Sequence, residues 1–106
     1  MMFRKLRKWR EKRGLNYLVY NSTRQAANIA EELTELLVSP TINDEMDAFA
    51  DLIIYSINAI EIAGYDARLV LNEVIKEIDS RDGEIIDNKF QKDSSTYKAK
   101  IGECKR

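Results

Sequence analysis

Apolar side chains recur at the three- and four-residue spacing of an amphipathic helix through most of this chain, and this periodicity constrains its fold more than any other feature. Four segments show it, with apolar positions at 3–9, 26–37, 42–60 and 71–78. Only one proline and four glycines interrupt the 106 residues, and no segment shows the alternation of β-branched residues that a strand requires. The sequence therefore predicts an all-α fold, a small antiparallel four-helix bundle with short connections.

Capping residues mark where these helices begin and end. Ser22 with Gln25 fits a capping box, and Thr41 and Asp66 fit the N-cap positions of the next two helices. The predicted stops of the second, third and fourth helices are Pro40, Gly64 and Asp82-Gly83. Residues 15–22 are open between loop and strand, and residues 87–106 are expected to form an irregular basic tail, with or without a short final helix. Since a domain takes roughly 100–200 residues, we expect a single domain over residues 1–106.

Composition excludes several classes of protein. The chain has no histidine and a single cysteine, Cys104, which excludes histidine-based catalysis, an intrachain disulfide and a thiolate zinc site. No apolar run approaches the 18 or more residues of a membrane span, and no secretory signal follows the basic N-terminus, so we expect a cytoplasmic protein that does not enter a membrane. The formal net charge of −1 excludes a uniformly basic nucleic-acid binder. Any chemistry must use carboxylates, amides, hydroxyls and basic side chains.

The charges are unevenly distributed along the chain. Residues 1–13 hold seven basic side chains against one acid, residues 31–51 hold seven acids and no base, and residues 89–106 are basic again. A basic helix over residues 1–13 leaves open a nucleic-acid or membrane-surface binder, whose affinity would fall steeply with salt. The acidic centre indicates a different kind of site.

Two acidic stripes are expected to face each other across the turn at Pro40. Glu32 and Glu35 share one face of the second helix, and Asp47 and Asp51 share one face of the third. Like charges four residues apart destabilise a helix by a few tenths of a kcal/mol, and no basic residue on these faces relieves them. Carboxylates without imidazole or thiolate suit Mg²⁺ or Mn²⁺. From spacing alone, a metal site and a plain solvated acidic face both stay open.

The acidic motifs resemble those of the MazG-like all-α nucleoside triphosphate pyrophosphohydrolases, a superfamily that includes phosphoribosyl-ATP pyrophosphohydrolase and dimeric dUTPases. The first family motif, E-x-x-E, is matched by Glu32 and Glu35. In the second, E-x-x-D, Asp51 matches the final position, but Ala48 stands where the family has Glu, and Asp47 is expected to replace it. The resemblance extends over roughly residues 3–100.

This resemblance implies a reaction and a set of site residues. The expected reaction is Mg²⁺-dependent cleavage of a nucleoside triphosphate to the monophosphate and pyrophosphate. Glu35 is the expected base, with Glu31 and Glu32 as alternatives, and the metal ligands would be Glu32, Glu35, Asp47 and Asp51. The implied substrate-binding residues are Gln25, Asn58, Arg81, Lys89 and Lys92. Members of the superfamily are dimers or tetramers, so a homodimer or homotetramer is expected.

Some of these assignments have alternatives. Because the second motif is imperfect, a catalytically weak or inactive nucleotide-binding homologue is the main alternative function. Candidates for the base pocket are Trp9, Gln25, Asn28, Tyr55 and Asn58. Core packing is the favoured explanation of Trp9, and Gln25 is equally well explained as the capping partner of Ser22.

Overall fold

A computed structural model describes residues 2–106, with only the backbone described at Tyr17. The contacts within the chain form two compact units, Met1–Gly64 and Tyr65–Arg106. Within residues 2–106, no helix combines the length and the apolar character needed to cross a membrane. The single domain expected over residues 1–106 stays a prediction.

The first unit consists of three helices and one short turn of 3₁₀ helix. Helix α1 covers Met2–Lys12, the 3₁₀ turn covers Leu15–Tyr17, α2 covers Ser22–Leu37 and α3 covers Ile42–Ile62. Only residues 38–41 join α2 to α3, and the two helices pack against each other, so they run antiparallel. Three of the four predicted helices lie in this unit, close to their predicted bounds.

In the first unit, the predicted caps of α3 are confirmed, whereas the predicted N-cap of α2 is wrong. Thr41 caps α3 by accepting a 3.1 Å hydrogen bond from the Asp44 amide, and Gly64 follows the helix at a φ of 91°, as predicted. The predicted capping box at Ser22 is wrong. The cap is Asn21, whose Oδ1 accepts from the Arg24 amide at 3.0 Å, so Ser22 is the first helical residue. Asparagine is at least as good an N-cap as serine, which explains the one-residue shift.

The apolar stripes of α2 and α3 are largely exposed, which contradicts their expected role as the core. The most exposed members are Leu33, Leu37, Ile42, Met46, Phe49 and Ile53, with 47% to 78% of their surface accessible. The buried residues of these two helices are Ile57, which belongs to the α3 stripe, and Glu32, Ala48 and Glu61, which do not belong to the stripes. Periodicity shows which side chains share a face but not which face meets the neighbouring helix.

The second unit overturns the all-α prediction, because it contains a β-hairpin. Helix α4 covers Ala67–Asp79, β1 covers Arg81–Ile86, β2 covers Lys89–Ser95 and a 3₁₀ turn covers Ile101–Cys104. The two strands pair antiparallel, so the fold is mixed α/β. Asp87 and Asn88 join them with φ angles of 52° and 63°, the left-handed pair of a two-residue hairpin turn.

The hairpin also corrects the expected end of the fourth helix. Asp66 caps α4 by accepting from the Leu69 amide at 3.2 Å, as predicted. The helix ends at Asp79 with Ser80 as its C-cap, and Asp82 and Gly83 lie in β1 rather than stopping the helix. The irregular tail expected from residue 87 is wrong for Lys89–Ser95, while a short final turn of helix is present at Ile101–Cys104.

Candidate functional site

The contact between α2 and α3 contains a buried carboxylate. Glu32 is only 9% exposed, and its Oε2 has no hydrogen-bond partner among the described residues. Burial, the charge and hydrogen bond of Glu35, and the charge of Asp51 all raise the pKa of Glu32. A buried carboxylate that has one oxygen without a partner and lies beside two other acids is costly unless a cation or a proton compensates it.

The other predicted acids lie around Glu32 at different depths. Asp51 on α3 is half-buried, whereas Glu35 on α2 and Asp47 on α3 are exposed. Glu35, Asp44 and Asp47 line a shallow cavity of about 250 Å³ near the 38–41 connection. Asp44 also accepts a 2.7 Å hydrogen bond from the Thr41 hydroxyl, which ties it to the helix cap.

Asp51 of α3 is near enough to Glu32 of α2 for their charges to interact, and Glu35 and Asp47 line the same shallow cavity. Within residues 2–106, no group of three or more His, Cys, Asp or Glu side chains is arranged as a ready metal site. The donor chemistry nevertheless fits a hard cation, since it consists of carboxylate oxygens only and one of them, Glu32 Oε2, is buried without a partner.

A larger cavity of about 450 Å³ lies next to this acidic contact. Side chains of two helices line this cavity. They are Lys5, Leu6 and Trp9 of α1, and Asp51, Ile54, Tyr55 and Asn58 of α3. Asp51 therefore belongs both to the surroundings of Glu32 and to this cavity. The cavity has the mixed aromatic and polar lining of a small-molecule site. Trp9, 43% exposed, lines it rather than filling a core.

A buried network of arginine and glutamate fixes α1 to α3, and sequence analysis did not find it. Glu61 Oε1 accepts hydrogen bonds from Arg7 Nη2 at 2.8 Å and from Arg10 Nη2 at 2.9 Å. Arg10 is fully buried, and its Nη1 also donates to Asn58 Oδ1 at 2.6 Å. The signal was available: Arg7 and Arg10 are three residues apart on one face of a helix that also carries apolar residues.

The remaining predicted substrate-binding residues are distributed over both units. Gln25 is half-buried on α2, and Asn58 is held by Arg10 at the cavity described above. In the second unit, Arg81 Nη2 lies 3.5 Å from Glu77 Oε2. Lys89 and Lys92 are exposed on β2. The approach of Arg81, Lys89 and Lys92 to the phosphates stays a prediction.

The second unit has its own pair of engaged carboxylates on α4. Glu73 accepts from the Tyr97 hydroxyl at 2.6 Å, from Lys76 Nζ at 2.9 Å and from the Lys100 amide at 3.0 Å. These hydrogen bonds, the one from Tyr97 first, lower the pKa of Glu73 to about 2. Glu77 accepts from the Ala99 amide at 2.7 Å, which lowers its pKa as well. Both carboxylates hold the C-terminal segment on α4, so their role is structural.

Comparison with known proteins finds no relative of this chain. The chain matches no protein-family model, no curated protein and no solved structure. The resemblance to the MazG-like superfamily therefore stays a prediction, and any functional argument must come from the residues themselves.

Proposed function

We propose that this protein is a Mg²⁺-dependent nucleoside triphosphate pyrophosphohydrolase that releases a nucleoside monophosphate and pyrophosphate. The observation that carries the proposal is Glu32, a buried carboxylate with an unpaired oxygen at the contact between α2 and α3. An ordinary solvated acidic face would point its acids outward, and the apolar stripes would form the helix contact. Here Glu32 is buried while most of the apolar stripes is exposed, which is a destabilising arrangement unless a cation or a proton compensates this carboxylate.

The acids that would hold Mg²⁺ are Glu32, Glu35, Asp47 and Asp51. When bound, the ion would neutralise phosphate charge and lower the pKa of a water ligand. Glu32 and Asp51 are the more buried of the four, so they suit a fixed pair of ligands, while the exposed Glu35 and Asp47 are free to move towards a bound substrate. Mg²⁺ commonly takes one or two carboxylates and completes its shell with water and substrate phosphates, so convergence of all four acids is not required beforehand.

The side chains of the chain itself would position and deprotonate the nucleophile. Glu35 would accept a proton from a water that attacks the α-phosphorus, and the bond to the pyrophosphate leaving group would break. Glu31 and Glu32 are the alternative bases. Gln25 and Asn58, which lie in the same unit as these acids, would contact the nucleoside.

The exposed apolar face of α2 and α3 supports the proposal of a homodimer or homotetramer. Six large apolar side chains on this face are each about half or more exposed, and a contiguous patch of this kind usually marks an interface. The face consists of Leu33 and Leu37 on α2 and of Ile42, Met46, Phe49 and Ile53 on α3, and a two-fold dimer would use the same face on both subunits. The interface would therefore use this α2–α3 face.

The test is release of pyrophosphate from a panel of ribo- and deoxyribonucleoside triphosphates with Mg²⁺ or Mn²⁺. Glu32→Gln, Glu35→Gln and Asp51→Asn should each lower turnover by at least about a hundredfold, the usual effect of losing one essential acid–base or charge-stabilising group. Glu84→Gln, at an exposed carboxylate on β1, is the matched control and should leave turnover unchanged.

The same assay separates the proposal from its alternatives. Tight nucleotide binding without turnover would favour the catalytically inactive homologue. The basic-helix alternative is weakened because Arg7 and Arg10 of α1 are engaged with Glu61. Unchanged turnover in Glu32→Gln and Glu35→Gln would refute the metal-dependent mechanism.

A further inference from the structure

We propose that the cavity between α1 and α3 binds a nucleobase and that Asn58 selects bases with an exocyclic carbonyl over their amino counterparts. This inference rests on the proposed function for its ligand class, a nucleotide. The selectivity itself follows from the hydrogen bonds that fix the Asn58 amide. It specifies a substrate preference that the acidic residues leave open.

The orientation of the Asn58 amide is set by Arg10. A guanidinium group only donates hydrogen bonds, so the Asn58 atom 2.6 Å from Arg10 Nη1 must be the carbonyl oxygen. Arg10 cannot easily turn away, because it is fully buried and donates to Asn16 Oδ1 at 3.2 Å and to Glu61 Oε1 at 2.9 Å. The amide flip that would present the oxygen to the cavity is therefore blocked.

An amide held in this way has its acceptor end on Arg10 and its donor end available to a ligand. Asn58 lines the cavity with its oxygen already engaged, which leaves the two N–H groups of its amide nitrogen for the bound molecule. An exocyclic carbonyl, as in uracil, thymine, hypoxanthine or guanine, can accept from this nitrogen. Cytosine and adenine carry an amino group at the same ring position. This amino group and the Asn58 amide nitrogen are both donors, so neither would gain a hydrogen bond from the other.

The rest of the cavity suits the flat ring of a base. Trp9 and Tyr55 are 43% and 38% exposed, and Leu6 and Ile54 add apolar contact. The volume of about 450 Å³ lies within the range of small-ligand sites. Lys5 at the cavity edge offers a positive charge to a phosphate of the nucleotide.

Binding to this cavity can be measured at the only tryptophan of the chain. The fluorescence of Trp9 would be titrated with nucleoside 5′-monophosphates in EDTA, using uridine against cytidine and inosine against adenosine. The carbonyl member of each pair is expected to bind about tenfold more tightly, the effect of one gained hydrogen bond and one avoided donor clash. Equal affinities within the pairs, a preference for the amino members, or no binding of any monophosphate would overturn the proposal.

Variants at Asn58 distinguish recognition from a merely structural role. Asn58→Asp keeps the contact to Arg10 but offers an acceptor to the cavity, so the preference should invert towards cytidine and adenosine. Asn58→Leu keeps the volume without polar atoms, so both members of each pair should bind equally. Asn43→Asp, at an exposed position of α3, is the control and should leave all affinities unchanged. An unchanged carbonyl preference in both Asn58 variants would refute the assignment.

The outcome is independent of catalysis. Monophosphates in EDTA undergo no cleavage, so the titration reports the cavity alone, and the release of pyrophosphate from triphosphates reports the acidic residues. Turnover without discrimination would overturn this inference and leave the proposed reaction standing. Discrimination without turnover would overturn the reaction and keep the base preference.

Discussion

Arg10 and Glu61 form a buried ion pair, with Arg10 Nη2 2.9 Å from Glu61 Oε1 and both side chains at most 3% exposed. Removal of one member would leave the other charged and buried. We therefore expect Glu61→Ala to lower the free energy of unfolding by about 3–5 kcal/mol, as measured by urea denaturation. This contact joins the N-terminal helix to the end of α3, so the loss should affect the whole first unit.

Arg7 provides the matched control for this prediction. It contacts the same Glu61 oxygen at 2.8 Å, but its side chain is 37% exposed. Because exposed ion pairs contribute roughly 0–1 kcal/mol, Arg7→Gln should cost much less than Glu61→Ala. Equal effects of the two substitutions would show that burial of the Arg10 pair is not what stabilises the contact.

How far the sequence predicted this fold depends on the kind of signal. The caps Thr41 and Asp66, and with them the starts of α3 and α4, were predictable because capping is a local interaction of neighbouring residues. The hairpin was missed because its turn, Asp87-Asn88, is a weaker signal than Asn-Gly and follows a strand with only a short apolar pair.

In the candidate site too, features that depend on local spacing were predictable, whereas features that depend on tertiary packing were not. The facing of Glu32 and Asp51 was predictable from helix periodicity and the short connection at 38–41. The roles of Arg10 and Glu61 were not predicted, since the two residues are 51 positions apart and the pair forms only through tertiary packing. The exposed apolar stripes were assigned to the core because periodicity alone cannot tell a core face from an interface.

Mg²⁺ is expected to stabilise the protein through Glu32. If the acids bind the ion only in the folded state, a concentration of 100 times Kd should add about 2.7 kcal/mol to the free energy of unfolding. Glu32→Gln should abolish this increase and raise the stability of the metal-free protein, since it removes the repulsion by Glu35 and Asp51. Thermal unfolding with and without Mg²⁺ would measure both effects. An equal response of the wild type and Glu32→Gln to Mg²⁺ would contradict this role.

Glu73 should make the second unit sensitive to acid. Its pKa is about 2 in the folded protein, below the ordinary 4.5, so the ionised form favours folding. Its stabilisation is fully present above pH 4.5 and is lost as the pH falls from 4.5 towards 2. The NMR shift of the Lys100 amide, which donates to Glu73 at 3.0 Å, should titrate with a midpoint near pH 2.

The contribution of Tyr97 can be separated in the same titration. The hydrogen bond from its hydroxyl to Glu73 is the largest cause of the lowered pKa. Tyr97→Phe removes only that hydroxyl and should move the midpoint of the Lys100 amide upward towards 4.5. Tyr65→Phe is the matched control. A midpoint that stays near 2 in Tyr97→Phe would assign the shift to Lys76 instead.

Gly83 should tolerate no side chain in β1. A Cβ at this position would meet the carbonyl oxygen of Gln91 and lie 2.9 Å from the Phe90 ring. The pairing of the hairpin is also irregular between Asp82 and Gly83. We expect Gly83→Ala to destabilise the hairpin by about 1–3 kcal/mol, the usual cost of overpacking. Amide hydrogen exchange along the strands would measure it. Gly102→Ala, where a Cβ meets no atom within 4 Å, should leave the hairpin exchange unchanged.

The exposed apolar face of α2 and α3 should control the oligomeric state. Phe49 and Ile53 lie on this face, 47% and 57% exposed, and a lysine at either position would bring a charge into the proposed interface. We therefore expect Phe49→Lys and Ile53→Lys to shift the protein from dimer or tetramer to monomer in analytical ultracentrifugation, with the helix content unchanged by circular dichroism. Ile85→Lys, at a 77% exposed position of the hairpin, controls for the added charge and should keep the oligomer. A wild-type protein that stays monomeric at micromolar concentration, or an oligomer that survives both α3 substitutions, would show that this face does not join two copies.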